Sequence, residues 1–175
     1  MATFLLLPNV DGLISIHWVA TGETARWQCL DDDNADTSYV QCDNGLATMV
    51  IEYANPSVAE ADIASIESVR FLSSGKSVHR SDPSLVVISF AAPTVGFLET
   101  VSYDAHRTNF ETINGTARTT HDGTHAWSYA NLEDLEMKCT KSGTVEVYLS
   151  YLALEVTYTE AVSATHNATF FGANF

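Results

Sequence analysis

Apolar and polar residues alternate with a period of two along most of this chain, the mark of half-buried β-strands rather than helices. Segments 3–7, 13–19, 25–30, 37–42, 47–53, 63–72, 85–91, 95–103 and 143–159 carry the alternation and are rich in Val, Ile, Thr, Tyr and Phe. Turn chemistry separates them: Asp11-Gly12, Asn44-Gly45, Ser74-Gly75, Asp82-Pro83, Asn114-Gly115, Asp122-Gly123 and Ser142-Gly143. Many strands closely spaced by turns predict an all-β fold, an antiparallel sandwich or barrel. Two stretches read as short connector helices. Residues 55–63 place Pro56 near the start of a helical turn. Residues 128–138 put Tyr129, Leu132 and Leu135 roughly on one face, with Lys138 near the negative end of the dipole.

The last strand changes face in mid-course. Val145, Val147 and Leu149 share one parity, whereas Leu152, Leu154, Val156 and Tyr158 share the other. A side-chain period of two tolerates such a switch only through an extra residue or a crossing between sheets. The pattern therefore predicts an irregularity around Ser150–Leu152.

Length and composition narrow the class. The chain has 175 residues, 46% hydrophobic and 17% charged, enough for one domain with its own core. We expect a single sandwich over 1–160 and an extended arm over 161–175, where the strand pattern ends and Phe170, Phe171 and Phe175 stand among small and polar residues. Eight Lys and Arg against 22 Asp and Glu give a formal charge of −14. That surface repels phosphate and argues against nucleic acid as a partner. The longest apolar runs, 4–7 and 85–92, are strand-length, far from the roughly 18–20 residues of a membrane helix, so no membrane partner is expected. The opening MATFLLLPNV has no basic segment and meets Pro8 at once, unlike a secretion signal. Cys29, Cys42 and Cys139 are too few for a disulfide scaffold and read as reduced, with a Cys29–Cys42 pair across a hairpin as the alternative.

Candidate chemistry is sparse. Asp32, Asn34, Asp36 and Asp43 fall at positions 1, 3, 5 and 12 of a calcium-loop spacing. Thr37 stands where the turn glycine belongs and no flanking helices are evident, which excludes an EF-hand. A solvated loop is favoured over a looser Ca2+ site, so no cofactor is expected. His121 and His125 lie in His-Asp-Gly-Thr-His, but Gly123 makes this a turn and no third zinc ligand follows. There is no Gly-x-Ser-x-Gly elbow, no catalytic cysteine context and no phosphate-binding glycine loop. Glu133, Asp134 and Glu136 read as the polar face of a helix rather than as paired catalytic acids. The expectation is therefore a non-enzyme. Trp18, Trp27, Trp127 and seven tyrosines could supply a sugar-stacking platform, though strand tryptophans usually belong to the core.

The order of motifs resembles a family of tailed-phage and environmental-virus virion proteins. The chain opens with Leu6-Leu7-Pro8-Asn9-Val10-Asp11-Gly12, then has Asp31-Asp32-Asp33 ahead of Thr37-Ser38-Tyr39-Val40, with two extra residues in that loop. Ile66-Glu67-Ser68-Val69-Arg70 follows. Ala126-Trp127-Ser128 leads to Leu132, Leu135 and Glu136, and the match closes on Leu152-Ala153-Leu154-Glu155-Val156-Thr157-Tyr158. Residues 73–120 match only in strand rhythm, and 161–175 extend past the family pattern. The resemblance implies a jelly-roll-like β-sandwich on a phage particle and transfers no catalytic residue. The expected role is a capsid decoration (cement) protein on the outer head surface, made in the host cytoplasm. Its partners would be the major capsid protein and its own subunits in a homotrimer. Phe170, Phe171 and Phe175 would make the subunit or capsid contact. The alternative is a head-fibre, tail or receptor-binding module that recognises a host surface glycan.

Overall fold

A computed structural model describes residues 1–14, 17–31, 37–43, 46–77, 84–92, 95–103, 109–142 and 146–162; for 13–14, 46, 84–92, 95–103 and 142 it describes the backbone. The strands are β1 (Ala2–Leu6), β2 (Pro8–Ile14), β3 (Trp18–Thr21), β4 (Tyr39–Cys42), β5 (Leu46–Tyr53), β6 (Ile63–Ser77), β7 (Ser84–Ala92), β8 (Val95–Tyr103), β9 (Glu111–Asn114), β10 (Glu136–Ser142) and β11 (Val147–Glu160). A single helical turn, α1 (Tyr129–Glu133), precedes β10, and 3-10 turns form at Trp27–Cys29 and Glu60–Asp62.

The strands form two antiparallel sheets. One runs β3-β4-β11-β6-β9, with β1 also on β11; the other runs β2-β5-β10-β7-β8. Only β3–β4 and β7–β8 are consecutive strands of one sheet; at every other step along the chain the next strand lies in the opposite sheet. First pairs with last (β1 with β11), and the inner pairs β6 with β9 and β7 with β8 nest inside. This nesting is that of a jelly roll. The β3–β5 excursion adds two strands to the first sheet and inserts β5 between β2 and β10. The expected antiparallel jelly-roll-like β-sandwich with short connector helices is the observed fold.

The long strand β11 organises the first sheet. Along one edge it pairs with β6 throughout; along the other it meets β4 at Val147–Leu149 and β1 at Leu154–Tyr158. Between those two neighbours the edge would be bare. The backbone of Leu30, just beyond the first 3-10 turn, fills the gap by accepting the Leu152 N–H at 3.0 Å. The predicted irregularity lies here. Leu149 faces Gly75 and Tyr151 faces Ser74, so Ser150 is the additional residue, and the inward set changes from Val147 and Leu149 to Leu152, Leu154, Val156 and Tyr158. Those side chains meet Phe4, Leu6, Val69 and Phe71 from the first sheet and Met49, Ile51, Met137 and Cys139 from the second. Burying each large apolar side chain contributes about 1.5–3 kcal/mol.

Several expectations are corrected. Segment 25–30 is no strand but contains the 3-10 turn, held by the Asp11 carboxylate, which accepts the N–H of Arg26 at 3.1 Å and of Trp27 at 2.8 Å. Segment 13–19 is two strands' ends, β2 and β3, in different sheets. The helix expected over 128–138 stops at Glu133, and Glu136–Lys138 begin β10, where pairing with both β5 and β7 outweighs helical spacing. Of the helix expected over 55–63, only the 3-10 turn Glu60–Asp62 forms. Ser74-Gly75 and Asp11-Gly12 lie inside strands rather than at turns. Near Gly12 a side-chain carbon would come within 3.1 Å of the Val50 carbonyl oxygen, so this glycine serves close strand approach.

Candidate functional site

Of the calcium-spaced residues, Asp43 is exposed at the end of β4, while Asp32, Asn34 and Asp36 lie outside the described residues, as do Phe170, Phe171 and Phe175. Among the described residues no group of three or more His, Cys, Asp and Glu is placed to hold a metal ion. Cys29, Cys42 and Cys139 are buried free thiols, which answers the Cys29–Cys42 alternative.

The His-Asp-Gly-Thr-His segment is a turn closed by Asp122. Its carboxylate accepts the N–H groups of Thr124 and His125 at 2.8 and 2.7 Å and lies 2.6 Å from His125 Nδ1. The His125 backbone and ring, then the Thr124 N–H, hold the Asp122 carboxyl far below the usual carboxylate range. Gly123 takes φ +84°, a conformation that favours glycine. The turn packs against Trp127, whose ring meets His121 edge-on at 6.1 Å and whose Nε1 donates to the Arg118 carbonyl at 2.8 Å.

Two shallow grooves flank this end. One, of about 200 Å3, is lined by Glu60, Ile63, Ser65, Trp127 and Tyr129 among others. The second, about 150 Å3, brings Glu52 of β5 beside Glu133, Asp134 and Glu136. The carboxylates read as one helix face are thus shared between the end of α1 and the start of β10. They are joined by Glu52, which faces Glu136 across the strand pair.

The tryptophans do not form a platform. Trp18 is 0% and Trp127 5% exposed, so both belong to the core, and Trp27 is half-buried. Aromatic surface appears elsewhere, on the outer face of the six-stranded sheet. Val40, Cys42, Val147 and Leu149 point inward, so their neighbours Tyr39, Gln41 and Tyr148 point out. Lys76 of β6 lies directly opposite Tyr148, and Phe110 stands immediately before β9. Tyr39 and Tyr148 meet edge-on with centroids 5.2 Å apart, and Phe110 lies tilted 6.4 Å from Tyr39. Lys76 Nζ sits 4.4 Å from the Phe110 ring centroid and 5.3 Å from that of Tyr148, a cation–π arrangement. Burial, then the hydrogen bond to Glu146 and its charge, push the Tyr148 phenol up to about 12, so it stays a neutral donor. Val19, 48% exposed, extends the row on β3, opposite Gln41.

Sequence reasoning missed this row because its members come from four places far apart in the chain. The usable signal was the alternation in Tyr39-Val40-Gln41-Cys42 and Val147-Tyr148-Leu149, which puts both tyrosines on the outward parity.

The fold and this face define a jelly-roll β-sandwich with a polar–aromatic outer surface. No protein-family model matches the chain, and no curated protein matches its sequence. Among solved structures it is similar to a chain described as "Family 16 Carbohydrate Binding Module-2", with a TM-score of 0.41 and 10% identity over 79% of this chain and 84% of that one. It is also similar to "Structure of PfGH50B", with a TM-score of 0.46 and 9% identity over 92% of this chain and 24% of that one, so it spans about a quarter of that protein.

Proposed function

We propose that this chain is a structural protein of a phage particle, a capsid decoration protein that acts through surface contact rather than catalysis. The observation that carries this reading is what the virion-like motif residues do in the fold. Asp11 caps the first 3-10 turn. Ile66 and Val69, three apart, are both buried, because a register shift near Glu67 turns both inward. Trp127 anchors the Arg118 carbonyl, Ser128 and Asn131 form a capping box, and Leu132 and Leu135 are buried behind it. The closing motif is the centre of β11. Each motif residue named here builds the sandwich, so the resemblance is carried by residues that hold the shape, and the particle role rests on that resemblance.

Phe170, Phe171 and Phe175 are the proposed capsid or subunit contact, in a homotrimer on the major capsid protein. The test is to add purified chain, and a version lacking 161–175, to particles made without it and to count bound copies. Hundreds of full-length copies per head, and loss of binding by the shortened chain, support the role. Absence of the chain from purified particles overturns it. The outer aromatic row favours a second reading, a head-fibre or tail module that recognises a host glycan, for which a few copies at one vertex are expected.

A further inference from the structure

We propose that the row on the outer face of the six-stranded sheet is a saccharide site, in which an uncharged hexopyranose packs on Tyr39 and is held at its rim by Lys76. This inference rests on the second reading above, in which the row recognises a glycan, and is independent of the decoration role, because a copy on the head or on a tail presents the same chain.

The chemistry of the row selects the ligand. Tyr39, Tyr148 and Phe110 meet edge-on or at a tilt, so neither pair is a face-to-face stack that would use up both rings. Polar groups are interleaved with them. Lys76 carries three donors, held between two rings that keep its charge and stem in place. Glu146 offers carboxylate oxygens beside the Tyr148 hydroxyl it already accepts. A surface that alternates aromatic carbon with both donors and acceptors matches a pyranose, which has apolar C–H faces and a rim of hydroxyls that donate and accept. Charge decides between sugars. Lys76 is a single cation already engaged by two rings, and against it stand the Glu146 carboxylate at the row and a formal charge of −14, a balance that disfavours uronic and sialic acids relative to neutral hexoses. Size decides against a protein partner, since three half-buried rings and a lysine are far short of the about 800 Å2 per partner that a stable protein interface buries.

The test is saturation-transfer NMR on the full chain with methyl glucoside, methyl galactoside and methyl mannoside, and with methyl glucuronide as the acidic comparison. Transfer to the C–H protons of at least one neutral hexoside is expected. Tyr39→Leu, which keeps apolar bulk and removes the ring, should weaken binding about tenfold. Lys76→Met, which keeps the stem and removes the donors, should weaken it as well, with circular dichroism confirming that both variants fold. No transfer to any neutral hexoside, stronger transfer to the glucuronide, or binding that Tyr39→Leu leaves intact would each overturn the site. None of those results alters the copy count that tests the particle role.

Discussion

Asp11 shows how one side chain can fix a local structure that the alternation pattern misreads. Segment 25–30 alternates like a strand, yet the Asp11 carboxylate takes the N–H groups of Arg26 and Trp27 and lies 3.8 Å from the Arg26 guanidinium. Arg26 Nε in turn donates to the Trp18 carbonyl at 3.0 Å, tying the turn to β3. Backbone N–H groups satisfied by a carboxylate no longer need a sheet partner, and the chain turns. Asp11→Ala should cost about 1–2 kcal/mol in urea unfolding, and Asp11→Asn less, because its carbonyl oxygen still accepts one bond. Equal loss in the two variants would mean that the negative charge, rather than the accepted bonds, is the stabilising feature.

At the level of the element, β11 depends on one inserted residue. Ser150 is fully buried, and its hydroxyl has no hydrogen-bond partner among the described residues. Its side chain is thus expendable while its place in the backbone is not. Ser150→Ala should leave stability unchanged or raise it by up to about 1 kcal/mol, since a buried unmatched hydroxyl is removed. Deleting Ser150 should instead abolish folding, because a one-residue slip turns Leu152, Leu154, Val156 and Tyr158 from the core to solvent. Thermal unfolding of the two variants checks the contrast; a deletion variant that melts like the parent would show that β11 can re-register freely.

Across the whole molecule, the two layers seal a core that contains three thiols. Cys29, Cys42 and Cys139 are all 0% exposed. An aromatic disulfide reagent should therefore find no reactive thiol in the native chain and three after denaturation. Burial pushes Cys139 from an ordinary 9.0 up to about 12. Between those values the unfolded chain loses a proton that the folded chain keeps, so the folded state binds more protons and stability falls as pH rises. Urea midpoints should drop over that window, and Cys139→Ala, though less stable at neutral pH, should show a shallower decline. A parent midpoint that stays flat from pH 9 to 12 would contradict the burial of this thiol.

The β class, most strand positions and the face change in β11 were legible in the alternation of side chains alone. These follow from a period of two, which each strand records locally whether or not its neighbours are known. The general rule that strand tryptophans belong to the core fits Trp18 and misses Trp27, which is half-buried in the 3-10 turn. Tertiary structure alone decided the rest. Helical spacing in 128–138 lost to the pairing that β5 and β7 offer Glu136–Lys138, through Val50–Glu52 and Ser89–Ala91, far upstream in the chain. The outer row was decided the same way: Tyr39, Lys76, Phe110 and Tyr148 become neighbours only when β4, β11, β6 and β9 lie side by side. Local pattern fixes which way a side chain points, whereas which side chains meet depends on strand order, and strand order is set by the packing of the whole sandwich.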